Sequence, residues 1–130
     1  MLDHIYVLAY ILIMNIDAND FYQALSNESR LRCLVLLQMQ GELCVCELTH
    51  ALNLSQPMIS RHLALLRDSD LVLDQRRGQW IYYRINAALP DWVRTVLQTT
   101  AQANATKTPF AADRKALKKM PDRPSTGCCT

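Results

Sequence analysis

Two short helices separated by a few residues constrain the fold more than any other part of the chain. The first is predicted over Glu47–Leu52 and ends at Asn53. The second is predicted from Gln56 to about Arg67, with Ser55 as a good N-cap and a tolerated proline in its first turn. Its apolar residues recur at the spacing of one buried face: Ile59, Leu63 and Leu66. Two such helices, the second amphipathic, are typical of a helix-turn-helix.

Two β-prone runs follow these helices and enclose a polar segment. Leu71–Leu73 and Trp80–Ile85 flank residues 74–79, which include Arg76 and Arg77. This arrangement predicts a hairpin with two arginines at its tip. A helix-turn-helix followed by such a hairpin is typical of a winged helix. We therefore predict a mainly α (α+β) winged helix-turn-helix with one two-stranded wing.

Further helices are predicted on both sides of this unit, which together give a DNA-binding and dimerisation domain over residues 20–103. Asp20–Leu25 and the strongly apolar Glu28–Met39 precede it, and a helix over Asp91–Ala103 follows it. The last helix carries a one-sided apolar stripe that includes Trp92. Such a stripe either packs against the domain or forms a dimer surface.

The two ends of the chain differ from this domain. Residues 1–19 form an N-terminal extension, in which residues 1–13 are either one more apolar helix or an unused upstream start, because Met14 also reads as a natural beginning. Residues 104–130 contain few large apolar side chains and several lysines. We predict that they form a basic, disordered tail.

Composition limits the class of protein. The 130 residues fit one domain, and only three glycines argue against a glycine-rich phosphate loop. The longest apolar run, Ile5–Met14, is about half of the roughly 20 residues that a membrane helix needs. Without a membrane span or a convincing signal peptide, we expect a cytoplasmic protein whose five cysteines are free thiols or ligands.

Charge is distributed unevenly along the chain. Residues 1–54 carry a net charge of −4, residues 55–106 carry +2, and residues 107–130 carry +4. An acidic front and a basic back suggest a polyanionic partner for the latter.

Cys44 and Cys46 are the sharpest chemical feature. Residues two apart in a continuous helix point to nearly opposite sides, since each residue turns the helix by about 100°. Both sulfurs therefore reach one ion only where the chain lies at a helix end or distorts one. A helix N-terminus also lowers the pKa of a thiol, and the thiolate binds soft ions. The alternative is that both are small buried residues that pack like alanine.

The remaining cysteines and histidines carry weaker signals. Cys33 lies within the apolar helix and is predicted to be a core residue. The adjacent pair Cys128 and Cys129 is either an additional thiophilic site or an inconsequential end of the tail. His4 and His50 are predicted to be surface residues.

Four stretches resemble the ArsR/SmtB family of metal-sensing repressors: ALSNESRLR at 24–32, ELCVCEL at 42–48, SQPMISRHLALL at 55–66 and GQWIYYR at 78–84. The closest likeness is to the arsenical-resistance type. The resemblance implies a homodimer that represses a resistance operon by binding operator DNA. It also implies that arsenite or antimonite, As(III) or Sb(III), acts as inducer by binding thiolates, and that DNA binding requires no cofactor.

The winged-helix prediction assigns a DNA-contacting role to two sets of side chains. Those of the second helix are expected to meet base edges and phosphates in the major groove, and those of the wing to meet phosphate or the minor groove. The helix residues are Gln56, Ser60, Arg61 and His62, and the wing residues are Arg76 and Arg77.

The chain departs from the family pattern in two places. The arsenic-sensing motif reads C-V-C-x-x-C, and here Thr49 replaces the third cysteine. A third ligand would then be water, a small thiol such as glutathione, or Cys128 or Cys129. A second family site on the last helix needs acids and histidines, and no histidine follows His62. We expect that second site to be absent.

Other functions remain open at this point. Within the same class, the thiol pair of Cys44 and Cys46 would sense cadmium, lead, or oxidation, with zinc the poorest fit because a tetrahedral site is hard to complete. From a different class, the chain would be a thiol metallochaperone or redox enzyme, although no cysteine has an evident base partner. A winged helix used only for protein contacts is a third alternative.

Overall fold

The computed structural model describes residues 16–124. The predicted helix or unused start at residues 1–13 and the pair Cys128 and Cys129 lie outside this range. No helix within it has the length and apolar character needed to cross a lipid bilayer.

Six helices and three strands make up the described chain. In order they are α1 Ala18–Leu25, α2 Glu28–Gln40, β1 Glu42–Cys44, α3 Val45–Leu52, α4 Gln56–Asp68, β2 Val72–Arg77, β3 Trp80–Ile85, α5 Asp91–Asn104 and α6 Phe110–Lys118. The winged helix-turn-helix prediction is confirmed, with α3 and α4 as its two helices and β2–β3 as its wing.

Local capping explains where the helices begin. The Asn27 side chain accepts a hydrogen bond from the backbone N–H of Arg30 at 3.0 Å, so α2 begins at Glu28. Ser55 does the same for α4 by accepting from the N–H of Met58 at 3.3 Å. Asn53 ends α3 in the left-handed conformation (φ 54°), which asparagine tolerates better than most residues. The caps at Asn53 and Ser55 therefore define the short turn between the two helices of the motif.

The sheet contains one strand more than the predicted hairpin. Its order is β1-β3-β2, with both pairs antiparallel. The short strand β1 lies along the inner side of the wing, where Cys44 stands opposite Tyr82. The hairpin is also tighter than predicted, because β2 extends to Arg77 and Gly78, at φ +61°, begins the turn.

One apolar core lies between the helices and the sheet. Helix α2 contacts α1, α4, α5, α6 and β3, so it is the centre of the domain. The fully buried large apolar side chains are Phe21, Leu34, Leu36, Leu37, Leu43, Leu48, Ile59, Leu63, Leu66, Leu71 and Leu117. The predicted stripe of α4 is thus buried as expected.

The prediction of a disordered tail beginning at residue 104 is wrong for residues 104–124. Helix α6 packs against α3 and α2, and Leu117 is 1% exposed. Asp113 is also buried, and both its carboxylate oxygens accept hydrogen bonds from Arg32, at 2.8 and 2.6 Å. The segment holds few large apolar residues, and the buried Leu117 and the ion pairs of Asp113 and Arg123 connect it to the domain.

Candidate thiol site and nucleic-acid interface

The structure brings Cys44 and Cys46 together. Cys44 is the last residue of β1 and the N-cap of α3, with extended backbone angles (φ −84°, ψ 163°), while Cys46 lies in the first helical turn. Their Cα atoms are 5.4 Å apart and their sulfurs are joined as a disulfide. The thiol pair is therefore at a helix end, and both sulfurs converge without any unwinding of α3.

A buried carboxylate is hydrogen-bonded to the backbone of the first cysteine of the pair. Glu47 is 0% exposed, and its Oε1 accepts the backbone N–H of Cys44 at 2.9 Å. Its Oε2 accepts from Nε of Arg123 at 2.7 Å. Glu47 was not among the site residues predicted from the sequence. The available signal was an acidic residue three positions after a helix cap, which is the spacing of a capping box.

Other candidate ligands near the thiol pair have different roles. The Thr49 hydroxyl donates to the carbonyl of Val45 at 2.8 Å, so it belongs to the helix. Cys33 is a core residue as predicted, and burial raises the pKa of its thiol to about 12. His50 is exposed, as predicted. Between residues 16 and 124, no three His, Cys, Asp or Glu side chains form a group that could hold a metal ion.

The outer face of α4 presents three of the four side chains predicted to meet DNA. Gln56 and Arg61 are exposed, and Nε2 of Gln56 donates to the Ser60 hydroxyl at 2.9 Å. His62 is turned partly inward, and its Nδ1 is buried without a hydrogen-bond partner in the described part of the chain. Burial, followed by the nearby positive charges of Arg30 and Arg61, lowers the pKa of His62.

The two wing arginines lie in different surroundings. Arg76 is exposed, and its Nε donates to the carbonyl of Gly78 at 3.2 Å. Arg77 turns toward β1, where Nη2 lies 2.8 Å from the Glu42 carboxylate. Its guanidinium carbon is also 4.5 Å from the ring centroid of Tyr82, the residue opposite Cys44. Arg77 therefore connects the wing to the strand that carries the first cysteine.

Aromatic side chains of α1 and α5 are in contact. Phe21 is buried and its ring centroid is 5.3 Å from that of Trp92, in an edge-to-face arrangement. Tyr22 is 52% exposed and Trp92 is 41% exposed. Both exposed rings contact that of Phe21, and exposed apolar patches of this kind are typical of an interaction surface.

The chain was compared with known proteins. The family description "Bacterial regulatory protein, arsR family" matches residues 27–73. The arsenic resistance transcriptional regulator ArsR2 of Pseudomonas putida is 51% identical over 112 residues, which are 85% of this chain and 96% of that protein. The chain belongs to the ArsR family. The resemblance seen in its motifs is confirmed, and the family is one of regulators, which excludes the thiol-enzyme alternative.

The chain is also similar to a further arsenical resistance repressor and to two solved structures. The arsenical resistance operon repressor of Escherichia coli is 49% identical over 76 residues, or 58% of this chain and 65% of that protein. The homodimeric winged helix-turn-helix domain of Mb0332 from Mycobacterium bovis superposes with a TM-score of 0.56 at 25% identity, covering 79% and 85% of the two chains. The antimony-specific repressor AntR superposes with a TM-score of 0.55 at 30% identity, covering 64% and 72%.

Proposed function

We propose that this ArsR-family protein is a dimeric transcriptional repressor that binds operator DNA in the cytoplasm and dissociates from it when As(III) or Sb(III) binds. The observation that carries the proposal is the convergence of the Cys44 and Cys46 sulfurs at the first residues of the helix-turn-helix. The reduced pair supplies two soft thiolates, which suit a thiophilic ion. The arsenic and antimony names of the relatives support this choice of inducer.

The third thiolate in our proposal comes from Cys128 or Cys129. Thr49 offers a hydroxyl that is already bonded within α3, so it is a poor substitute for a thiolate. Arg123 is held at Glu47, directly behind Cys44. Cys128 is five residues further on, and an extended chain of that length spans about 17 Å. Arsenous acid and three thiols would then give a tris-thiolate and three molecules of water.

DNA recognition is assigned to α4 and the wing. Gln56, Ser60 and Arg61 present hydrogen-bonding groups on the outer face of α4, which suits the major groove. Arg76 on the exposed wing suits phosphate or the minor groove. His62 and Arg77 remain in the proposed interface as residues that contact DNA only after turning outward.

The dimer is proposed to form through α1 and α5. The exposed rings of Tyr22 and Trp92 supply an apolar surface at this position, and the homodimeric relative supports the assembly. A two-fold dimer places two recognition helices about one turn of DNA apart. Each protomer then reads one half of the operator.

Two contacts support a route from the thiol pair to the DNA-binding surface. Cys44 stands opposite Tyr82 in the sheet, and the Tyr82 ring lies beside Arg77 of the wing. Helix α3 also packs directly on α4. A ligand that changes the position of Cys44 thus acts on the wing and the recognition helix together, with a coupling of about 1–3 kcal/mol per site.

The experiment measures operator affinity against an arsenite series for Cys44→Ser and Cys46→Ser, with Cys33→Ser as the matched control. We expect both site variants to bind the promoter DNA and to remain bound when arsenite is added. The control should release like the parent protein, since Cys33 is buried in the core. Normal release by both site variants would refute the site. If the parent protein does not bind its own upstream DNA in a gel-shift assay, the winged helix serves only for protein contacts.

The same series locates the third ligand. We expect the double variant Cys128→Ser/Cys129→Ser to need at least tenfold more arsenite for release, while its operator affinity without arsenite is unchanged. An unchanged arsenite response would assign the third position to water or a small thiol.

A second candidate, sensing of thiol oxidation, is favoured by the disulfide between Cys44 and Cys46. Hydrogen peroxide would take two electrons from the two thiols, giving the disulfide and two molecules of water. Adding peroxide instead of arsenite to the operator complex separates the candidates. Release by peroxide alone, reversed by a dithiol, would favour the oxidation switch over the metalloid sensor.

A further inference from the structure

The segment after α5 packs against α3, the helix that begins at the thiol pair. We call residues 110–124, which comprise α6 and the turns after it, the C-terminal segment. It packs along α3 and is anchored in the core by Leu117, which is 1% exposed. Two buried ion pairs fix its position relative to α3.

The first ion pair lies at the beginning of α3. The Arg123 side chain is 18% exposed and donates to Glu47 at 2.7 Å. The other oxygen of Glu47 accepts the backbone N–H of Cys44 at 2.9 Å. This N–H belongs to the N-cap residue, whose extended backbone turns the Cys44 sulfur toward Cys46.

The second ion pair lies at the end of α3. Asp113 accepts two hydrogen bonds from Arg32, whose Nη2 also donates to the carbonyl of Leu52 at 3.1 Å. Leu52 is the last residue of α3. The C-terminal segment is therefore connected to the last residue of α3 through Arg32, and to its cap through Glu47.

We propose that Arg123 and Glu47 are positioning residues for the thiol pair, and that the C-terminal segment sets the metalloid concentration at which the repressor responds. This inference rests on the proposed function. Arg123 orients the Glu47 carboxylate, and the carboxylate keeps Cys44 at the cap, where the two sulfurs converge. Loss of Arg123 loosens this cap and weakens metalloid capture, because the two sulfurs are no longer held where they converge.

The test compares Arg123→Gln with Lys119→Gln in the full-length protein. Lys119 is an exposed residue of the same segment, so its substitution removes the same charge without touching Glu47. We expect Arg123→Gln to need about tenfold more arsenite for operator release, since loss of an outer partner of a metal ligand commonly costs 10–100-fold in affinity. Operator affinity without arsenite should stay within twofold. Arg123→Lys, which keeps a positive charge, should recover part of the response.

Two further measurements separate this inference from its alternatives. In the Cys128→Ser/Cys129→Ser background the effect of Arg123→Gln should persist, because it acts through Cys44 and not through the position of those cysteines. The alkylation rate of the reduced Cys44 thiol should also rise in Arg123→Gln, because Cys44 is 0% exposed while Glu47 holds it at the cap, and this result needs no metalloid. An alkylation rate and an arsenite response equal to those of Lys119→Gln would overturn the inference. A parent protein that ignores arsenite, with faster alkylation in Arg123→Gln, would refute only the proposed function.

Discussion

Replacing Asp113 by alanine should destabilise the protein far more than removing an exposed carboxylate does. Asp113 is 3% exposed and Arg32 is 14% exposed, and two short hydrogen bonds join them. The hydrogen bond that Arg32 donates to Asp113 is the main reason that the pKa of Arg32 is raised, so the guanidinium stays charged. Removing one partner of a buried ion pair costs about 3–5 kcal/mol, because the other charge is left buried. That loss is a large part of the roughly 5–15 kcal/mol by which domains are stable.

Urea unfolding followed by circular dichroism measures this loss. Asp68→Ala is the matched control, since Asp68 is 71% exposed and its ion pair with Arg67 is 3.5 Å long. The control should lose less than about 1 kcal/mol. The double variant Arg32→Met/Asp113→Leu should regain much of the stability, because no charge remains buried. A free energy of unfolding for Asp113→Ala within about 1 kcal/mol of the control would show that the pair contributes little in solution.

Three further predictions follow from single residues. The Cys33 thiol, with a pKa of about 12, should resist alkylation at pH 8 in the folded protein and react after unfolding in urea; rapid labelling of the native protein would contradict its burial. Gly78 has φ +61°, so Gly78→Ala should lower the free energy of unfolding by about 1 kcal/mol, and an unchanged urea midpoint would show that the turn relaxes. Because burial lowers the pKa of His62 below 6.5, the unfolded chain binds more protons than the folded one in acid. Stability should therefore fall as the pH drops from 7.5 to 5.5, and His62→Gln should flatten that slope; equal slopes would rule His62 out as the cause.

The sequence predicts those parts of the fold whose signals lie within a few residues of one another. Ser55 caps the helix that it was expected to cap, and Ile59, Leu63 and Leu66 are buried at the predicted spacing. The cysteine pair was also expected at a helix end, and the cap at Cys44 confirms this. These features are predictable because helix caps and the spacing of apolar residues along one helix depend mainly on residues close together in the sequence.

The missed features depend on partners that are distant in the chain. The three residues of β1 are too few to show an alternating pattern, and they form a strand only because β3 lies beside them. Helix α6 was missed because its stability depends on Arg32, 81 positions earlier. Phe110, Asp113 and Leu117 are spaced as on one face of a helix, which is a signal for α6. The lysine-rich composition of the segment led to the prediction of disorder instead.

The pairing of Arg32 with Asp113 also has a consequence for synthesis of the protein. The chain is made from its N-terminus, so the guanidinium in α2 is in place long before its carboxylate partner exists. A product that stops short of Asp113 keeps an unmatched charge within its interior and leaves the faces of α2 and α3 that pack against α6 without their cover. Cells continuously remove unfolded chains through chaperones and proteases, so incomplete copies should be short-lived.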